Sequence, residues 1–305
     1  MKEGIIRILI TQQCIYNCFF CHKEGLQERR EDQLNKDDLV FLYKIYNKYF
    51  GKNELRISGG EPLVREDIYE ITKSLHEEGC KVSLTTNGCL LKDKIKVCEN
   101  LEKLNISIHS LDAEKYKKIT NTNINIEEII ENIKSIKTKY PKLKITIDVT
   151  LLKGINTDKE EILNFIKLAE ELDVKIKFVE LFLKQKDYLY EINNLENILL
   201  SYGFSKSNEY IRKVEYTKQN TKIYLAKCFC NIDCAPQSKK EFCNKYNDLF
   251  LSPDGKINLC RLGKKEIDIL EEIKNRDEKA LLEKLNLAYK KLGENCQIKG
   301  EKIWI

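Results

Sequence analysis

The sequence predicts an α/β protein: an open, partial (β/α)6 barrel with a smaller, cysteine-rich C-terminal domain. Three observations predict it. Short β-branched stretches alternate with longer stretches of helical period through roughly the first 180 residues, the pattern of a parallel sheet wrapped by helices. The chemically distinctive residues all fall where predicted strands end, which is where ligands bind in such sheets. Cysteines then return at high density after residue 227.

In chain order, the first strand is predicted over 5–11, from the apolar run Ile5-Ile6-Arg7-Ile8-Leu9-Ile10. The others are predicted over 55–58, 81–85, 104–108, 144–151 and 175–181. Helices over 36–49, 65–78, 92–100, 126–140 and 159–172 alternate with them. These elements make a barrel domain over 1–183. A connecting segment over 184–221 carries a helix near 192–202 and a hairpin, and the second domain runs over 222–305.

The 305 residues suffice for one large domain plus a smaller one. No apolar run is long enough to cross a membrane, and the N-terminus lacks a signal-peptide pattern, so a cytoplasmic location without a membrane partner is expected. In that setting twelve cysteines point to metal binding rather than disulfides. The net charge of +5, from 53 basic against 48 acidic residues, is dispersed along amphipathic segments and makes no case for a nucleic-acid partner.

Directly after the first strand stands Cys14-x3-Cys18-x2-Cys21. Three thiolates on one short loop can hold three irons of a [4Fe–4S] cluster and leave the fourth open to a small chelating molecule. With His22 the same residues could instead form a tetrahedral zinc site. Gly59-Gly60-Glu61-Pro62 ends the second strand about forty residues later. Its glycines allow close backbone approach, and Glu61-Pro62 fixes an exposed turn.

These two motifs together resemble the radical S-adenosylmethionine (SAM) superfamily, whose usual architecture is a TIM-like barrel of this kind. The resemblance implies that the open iron chelates SAM and that one electron releases a 5′-deoxyadenosyl radical, which abstracts hydrogen from a substrate. It implies an electron donor such as flavodoxin or ferredoxin. It gives Gly59, Gly60, Glu61 and Pro62 to the SAM amino group and sets Thr86 and Asn87, in Thr85-Thr86-Asn87-Gly88, beside SAM. It also gives Ser107 and Lys177 to the SAM carboxylate. His109 stands where many relatives carry an acid. There it is expected to act as a hydrogen-bond donor to substrate or a proton acceptor near neutral pH, or to be structural. Cys80, Cys89 and Cys98 lack ligand spacing and read as small buried or half-buried residues.

Over roughly 4–183 the chain is similar to the GTP 3′,8-cyclase family of molybdenum-cofactor biosynthesis. The similar stretches include Cys18-Phe19-Phe20-Cys21-His22-Lys23-Glu24-Gly25, Ser110-Leu111-Asp112-Ala113 and Lys153-Gly154-Ile155-Asn156. In the C-terminal half, the segment from Phe242-Cys243 to Leu259-Cys260 resembles that family's second-cluster segment and the SPASM/twitch signature. Pro253-Asp254-Gly255 is a good tight turn between 249–251 and 257–259, and would bring Cys243 and Cys260 together. The resemblance implies an iron–sulfur domain with a second, auxiliary [4Fe–4S] cluster on Cys234, Cys243, Cys260 and Cys296, with Cys228 or Cys230 as an alternative upstream ligand. A structural zinc is the other reading of these cysteines. A surplus Cys230 could donate a hydrogen atom to a product radical, or be inert.

The departures concern substrate. Tyr246 replaces a cysteine, Asp248-Leu249-Phe250 replaces an Arg-x-Arg that helps hold phosphates, Glu54 replaces a lysine, and the chain ends in Lys302-Ile303-Trp304-Ile305 instead of Gly-Gly. Exchanging cations for Glu54 and Asp248 costs on the order of 1 kcal/mol each against a polyanion. The expectation is therefore a radical SAM enzyme acting on a peptide or small metabolite, ahead of GTP cyclisation and of a non-catalytic cluster or zinc protein.

Overall fold

The computed structural model describes residues 4–26, 28–182, 186–228, 230, 236–246, 248–260 and 265–292. Six parallel strands form its centre: β1 (Ile6–Leu9), β2 (Glu54–Ser58), β3 (Lys81–Thr86), β4 (Leu101–Ser107), β5 (Lys144–Leu151) and β6 (Lys175–Glu180). Between them run α1 (Lys36–Phe50), α2 (Ile68–Glu77), α3 (Ala113–Thr120), α4 (Ile126–Lys139) and α5 (Lys159–Leu172). The helices start where short polar side chains cap them. Asn35 and Asp38 form a reciprocal capping box on α1, and Asp112, Asn125 and Asp158 each accept a backbone N–H at the start of α3, α4 and α5. Gly51 ends α1 in the left-handed conformation that glycine adopts without a steric penalty.

Two differences from the expected elements have local causes. The helix expected over 92–100 is only a 3-10 segment, Ile95–Asn100, which runs directly into β4. The short α3 was not expected, although Asp112 before Ala113-Glu114-Lys115-Tyr116 is a cap signal.

After β6 come α6 (Asn194–Ser201), β7 (Ser205–Tyr210), β8 (Lys213–Lys218), β9 (Thr221–Ala226), α7 (Pro236–Tyr246), β10 (Leu249–Leu251), β11 (Lys256–Asn258), β12 (Glu266–Asp268), α8 (Leu270–Lys274) and α9 (Glu278–Lys291). The hairpin expected in the connecting segment forms between β7 and β8, and the one expected around Pro253-Asp254-Gly255 forms between β10 and β11. Neither stands apart from the barrel strands. β9 joins β6 in parallel and β10 joins β1 in parallel, so one open sheet runs β12-β11-β10-β1-β2-β3-β4-β5-β6-β9-β8-β7. α9 packs into the same apolar core, where the Tyr289 and Tyr46 hydroxyls meet at 3.0 Å. The strands contributed by the expected C-terminal domain are thus continuous with the barrel sheet.

The two faces of the sheet differ. In β5, Ile145, Ile147, Val149 and Leu151 are buried, while Thr146, Asp148 and Thr150 between them are half-buried. The same alternation puts Ile176 and Phe178 of β6 in the core and leaves Lys175 and Lys177 on the other face. One face therefore joins the helices in an apolar core, and the other lines an open cavity of about 2190 Å³. Among the described residues no helix is long and apolar enough to cross a membrane.

Candidate functional site

The rim of this cavity is built from loops at the ends of β1, β2 and β3. The cysteine loop after β1 is pinned to α3: Asn17 donates its backbone N–H to the Thr120 carbonyl at 3.1 Å, and Phe19 to that of Ile119 at 3.3 Å. The buried Tyr16 and Tyr116 hydroxyls meet at 2.8 Å beneath it. This leaves Cys14 and Cys21 exposed and Cys18 half-buried at the cavity wall.

The Gly59-Gly60-Glu61 turn lies directly against that loop. Gly60 N–H donates to Thr11 O at 2.8 Å and Glu61 N–H to Gln13 O at 2.7 Å. A Cβ at Gly59 would stand 2.4 Å from Thr11 O, and one at Gly60 2.3 Å from Gln13 O. The close approach that demands these glycines is thus to the cysteine loop itself. Pro62 opens a single 3-10 turn, Pro62–Val64, capped by Glu61.

The Glu61 carboxylate is fully buried and spans two strand ends. It accepts from Leu63 N–H at 3.0 Å, Thr86 Oγ1 at 2.6 Å and Asn87 N–H at 2.7 Å. Burial raises its pKa, against the pull of these three hydrogen bonds. Thr86 Oγ1 in turn accepts from Gly88 N–H at 3.0 Å. Both side chains are therefore engaged in joining the loops. Asn87 alone of this group reaches the cysteines, its amide lying 4.0 Å from Cys14 Sγ.

His109 sits at the end of β4, next to the cysteine loop, with the Phe20 ring edge-on at 4.9 Å. Its Nδ1 accepts the Thr150 N–H at 3.1 Å, which puts the ring proton on Nε2. Burial lowers its pKa to about 4. Of the expected roles, Nε2–H donation is the one this geometry allows near neutral pH, since Nδ1 is already occupied. Asn156, to which sequence reasoning assigned no role, clamps this corner by donating to His109 O at 2.6 Å and Thr150 O at 2.8 Å.

Below the rim the concave face is strongly charged. Ser107, the last residue of β4, pairs with Asp148 of β5, and both line the cavity. Lys177, expected to meet a ligand carboxylate, forms an ion pair with Asp148 at 2.8 Å, its register neighbour across β5 and β6. On the other side Asp248 accepts Ile5 N–H at 3.2 Å and pairs with Arg56 at 2.9 Å and Arg7 at 3.6 Å. Glu54 pairs with Lys103 at 3.1 Å. Both acids that sequence reasoning set against a polyanion are thus neutralised.

Cys228, Cys230, Cys243 and Cys260 all line the same cavity as Cys14, Cys18 and Cys21. Cys234 and Cys296 lie outside the described residues. Cys80 and Cys98 are buried and Cys89 is half-buried.

The N-terminal thiols fit an iron–sulfur cluster. They are close enough to interact, since neighbouring thiols add to the effect of burial in raising the pKa of Cys14 and in pushing Cys18 up to about 12. Among the described residues no three cysteine, histidine or carboxylate side chains converge on one point as a single ion requires. A cubane cluster takes one thiolate on each of three separate irons and needs no such convergence.

A parallel sheet whose charged concave face is rimmed by this cysteine loop and an acid-anchored glycine turn defines a class of enzyme. Residues 8–166 match the Radical SAM superfamily, and the chain belongs to it. Within that superfamily it is 32% identical over 289 residues to the "Probable GTP 3′,8-cyclase" of Pyrobaculum aerophilum, covering 91% of this chain and 90% of that protein. The protein of the same name from Saccharolobus islandicus is 33% identical, with 92% and 90% covered. Among solved structures, Streptococcus suis SuiB bound to precursor peptide SuiA aligns with a TM-score of 0.67 at 16% identity. That alignment covers 93% of this chain and 66% of SuiB. The structure described as anSMEcpe with bound AdoMet aligns at 0.59 and 14% identity, covering 94% and 81%. At these identities the solved structures speak for the fold alone. Membership in the superfamily implies a [4Fe–4S] cluster and SAM.

Proposed function

We propose that this protein is a GTP 3′,8-cyclase-type radical SAM enzyme whose substrate is a nucleoside triphosphate. The observation that carries the reading is the charge of the cavity: thirteen lysines and arginines line it against seven aspartates and glutamates. The two acids that spoke for a peptide or small metabolite each balance one of these cations, Arg56 and Lys103, and leave the excess of positive charge in place. Identity of 32–33% with relatives bearing that activity in their names runs through more than nine-tenths of the chain. The likeness to peptide-binding SuiB is one of fold only.

Bound at the open iron, SAM supplies the radical that starts the reaction. The chain's own residues hold and shield it. Cys14, Cys18 and Cys21 ligate the cluster, and the Asn87 amide lies against the Cys14 sulfur, where such contacts tune cluster potential. Gly59 to Pro62, Thr86, Asn87 and Ser107 shape the SAM pocket, with Glu61 and Thr86 acting as positioning residues. Lys177 stays at its edge, balanced by Asp148. His109 presents a neutral Nε2–H to the substrate. Cys243 and Cys260 carry an auxiliary [4Fe–4S] cluster, with further thiolates drawn from Cys228, Cys230, Cys234 and Cys296. A Cys230 left over from that set would donate a hydrogen atom to a product radical. An electron donor of the flavodoxin or ferredoxin type supplies the electron.

The test is anaerobic reconstitution followed by incubation with SAM, GTP and a strong reductant. The expected result is 5′-deoxyadenosine together with a cyclised nucleotide, both absent from the Cys14/Cys18/Cys21 triple alanine variant. Iron should be roughly eight per chain in wild type and roughly four in that variant. Deoxyadenosine formed without any change to GTP would overturn the substrate, and stoichiometric zinc without iron would overturn the whole reading.

A further inference from the structure

Several of the cavity's cations carry their own counter-charge. Arg7 and Arg56 share Asp248, Lys103 has Glu54, Lys177 has Asp148, and Lys144 has Glu102. Lys175 and Lys213 also line the cavity, and among the described residues neither is in an ion pair.

Strand register explains why they gather. Lys175 and Lys177 are alternate residues of β6 and so share its concave face. Lys177 stands opposite Tyr224 of β9, and Tyr224 opposite Glu215 of β8. Lys213, at the start of β8, lays its ammonium 3.9 Å from the centre of the Tyr224 ring and 5.1 Å from that of Tyr210. The ring face holds a cation there without neutralising it. The buried carboxylate beside it is already saturated: Glu215 accepts from Asn208 Nδ2 at 2.8 Å and Ser207 Oγ at 2.9 Å, and has Lys222 at 3.6 Å. Burial, then the charges of Lys177 and Lys175, push the Lys213 pKa down, and burial, then Lys222, does the same for Lys175. The Glu215 charge offsets this only in part, and like charge so gathered is costly to fold and collects where a ligand relieves it.

We propose that Lys175 and Lys213, steadied by Tyr224, form an oxyanion-binding wall that takes the polyphosphate end of the substrate. This deepens the nucleotide reading and rests on it for the identity of that substrate. It also moves the anion across the cavity from Arg7 and Arg56, whose two charges are balanced by Glu24 and Asp248. Lysines suit the task as compact point charges able to follow a flexible phosphate chain.

The test uses the full, cluster-loaded chain and inorganic triphosphate, titrated by anaerobic calorimetry at two salt concentrations. Lys175→Met and Lys213→Met should each weaken binding about tenfold, the loss expected for one charged hydrogen bond, and should flatten its salt dependence. Lys134→Met, a surface control on α4, should leave it unchanged, and Lys213→Arg should retain most of it. Lys175→Gln and Lys213→Gln serve if a methionine variant misfolds. Triphosphate binding equal in wild type and the Lys175/Lys213 double variant overturns the wall, as does no binding by wild type. If triphosphate binding falls as expected while GTP is never converted, the wall stands and the cyclase reading fails. If GTP is converted with an unchanged KM in the double variant, the cyclase reading stands and the wall fails.

Discussion

The rim and the floor of the cavity are held by different forces. At the rim, hydrogen bonds and close backbone contact do the fixing: Gly60 against the carbonyls of Thr11 and Gln13, and Glu61 inside three hydrogen bonds. On the floor, charges balance charges, as Asp248 does between Arg7 and Arg56 and Asp148 does beside Lys177. Backbone contacts leave little room for substitution. Ion pairs across a wide cavity can be exchanged one for another while the fold persists. Such a molecule can keep its rim while the charges below it are exchanged.

The comparison breaks first, and hardest, at Gly60. A Cβ there would lie 2.3 Å from Gln13 O and 2.5 Å from Gln12 O, both backbone atoms that move only if the cysteine loop moves. Gly60→Ala should cost about 3 kcal/mol of stability and most of the N-terminal iron. Gly154→Ala is the contrast: its Cβ would meet nothing within 4 Å, and only the left-handed φ of +75° opposes it, for about 1 kcal/mol. Denaturant unfolding and iron analysis of the two variants measure the difference. Equal losses would mean that the rim is not held by this contact.

On the floor the decisive change is Asp248→Asn. Arg56 and Arg7 hold the Asp248 carboxyl below its usual range although burial opposes them. Removing its charge leaves two arginines facing each other at a half-buried site, at a cost of about 3 kcal/mol. The sign with pH follows. A depressed folded pKa gives stability that is complete above the ordinary carboxylate value, about 4, and is lost as pH falls through the still lower folded value. The asparagine variant should therefore be less stable at pH 7 and should lose less on acidification. It should also bind triphosphate more tightly, since Arg56 is released while Arg7 keeps Glu24. Unchanged stability at pH 7 would show that the pair is solvated.

How far the sequence was legible divides along the same line. Cys14-x3-Cys18-x2-Cys21, Gly59 to Pro62 and Thr86-Asn87 could be read because each motif is a run of neighbours whose chemistry is local. Their joining through Glu61 could not, since it links strand ends 25 residues apart. The Pro253-Asp254-Gly255 hairpin was legible from its turn, yet its docking on β1 depends on Ile6 meeting Leu249, which no local pattern encodes. The charged floor was written plainly in Lys144-Ile145-Thr146-Ile147-Asp148 and Lys175-Ile176-Lys177-Phe178. A strict alternation in parallel strands means that one face sees no helix. Glu54 and Asp248 were weighed by their charge alone, because a sequence shows a charge without its partner.

The smallest expected effect is at His109, and it tests whether the imidazole at the rim is neutral. With Nδ1 accepting the Thr150 N–H and burial lowering its pKa to about 4, the ring is neutral at pH 7. The unfolded chain takes up this proton near its ordinary value of 6.5. Between pH 6.5 and about 4 the unfolded state binds the extra proton, so stability is complete above that window and is lost as pH falls through it. The loss amounts to about 3 kcal/mol at most. His109→Asn keeps an acceptor for Thr150 and should cost only about 1 kcal/mol at pH 7.5. Across the acidic window it should be measurably flatter than wild type in urea midpoints. A variant with the wild-type slope would mean that His109 is solvated in the folded protein, and would return the ring to the acid–base role its Nδ1 hydrogen bond now denies it.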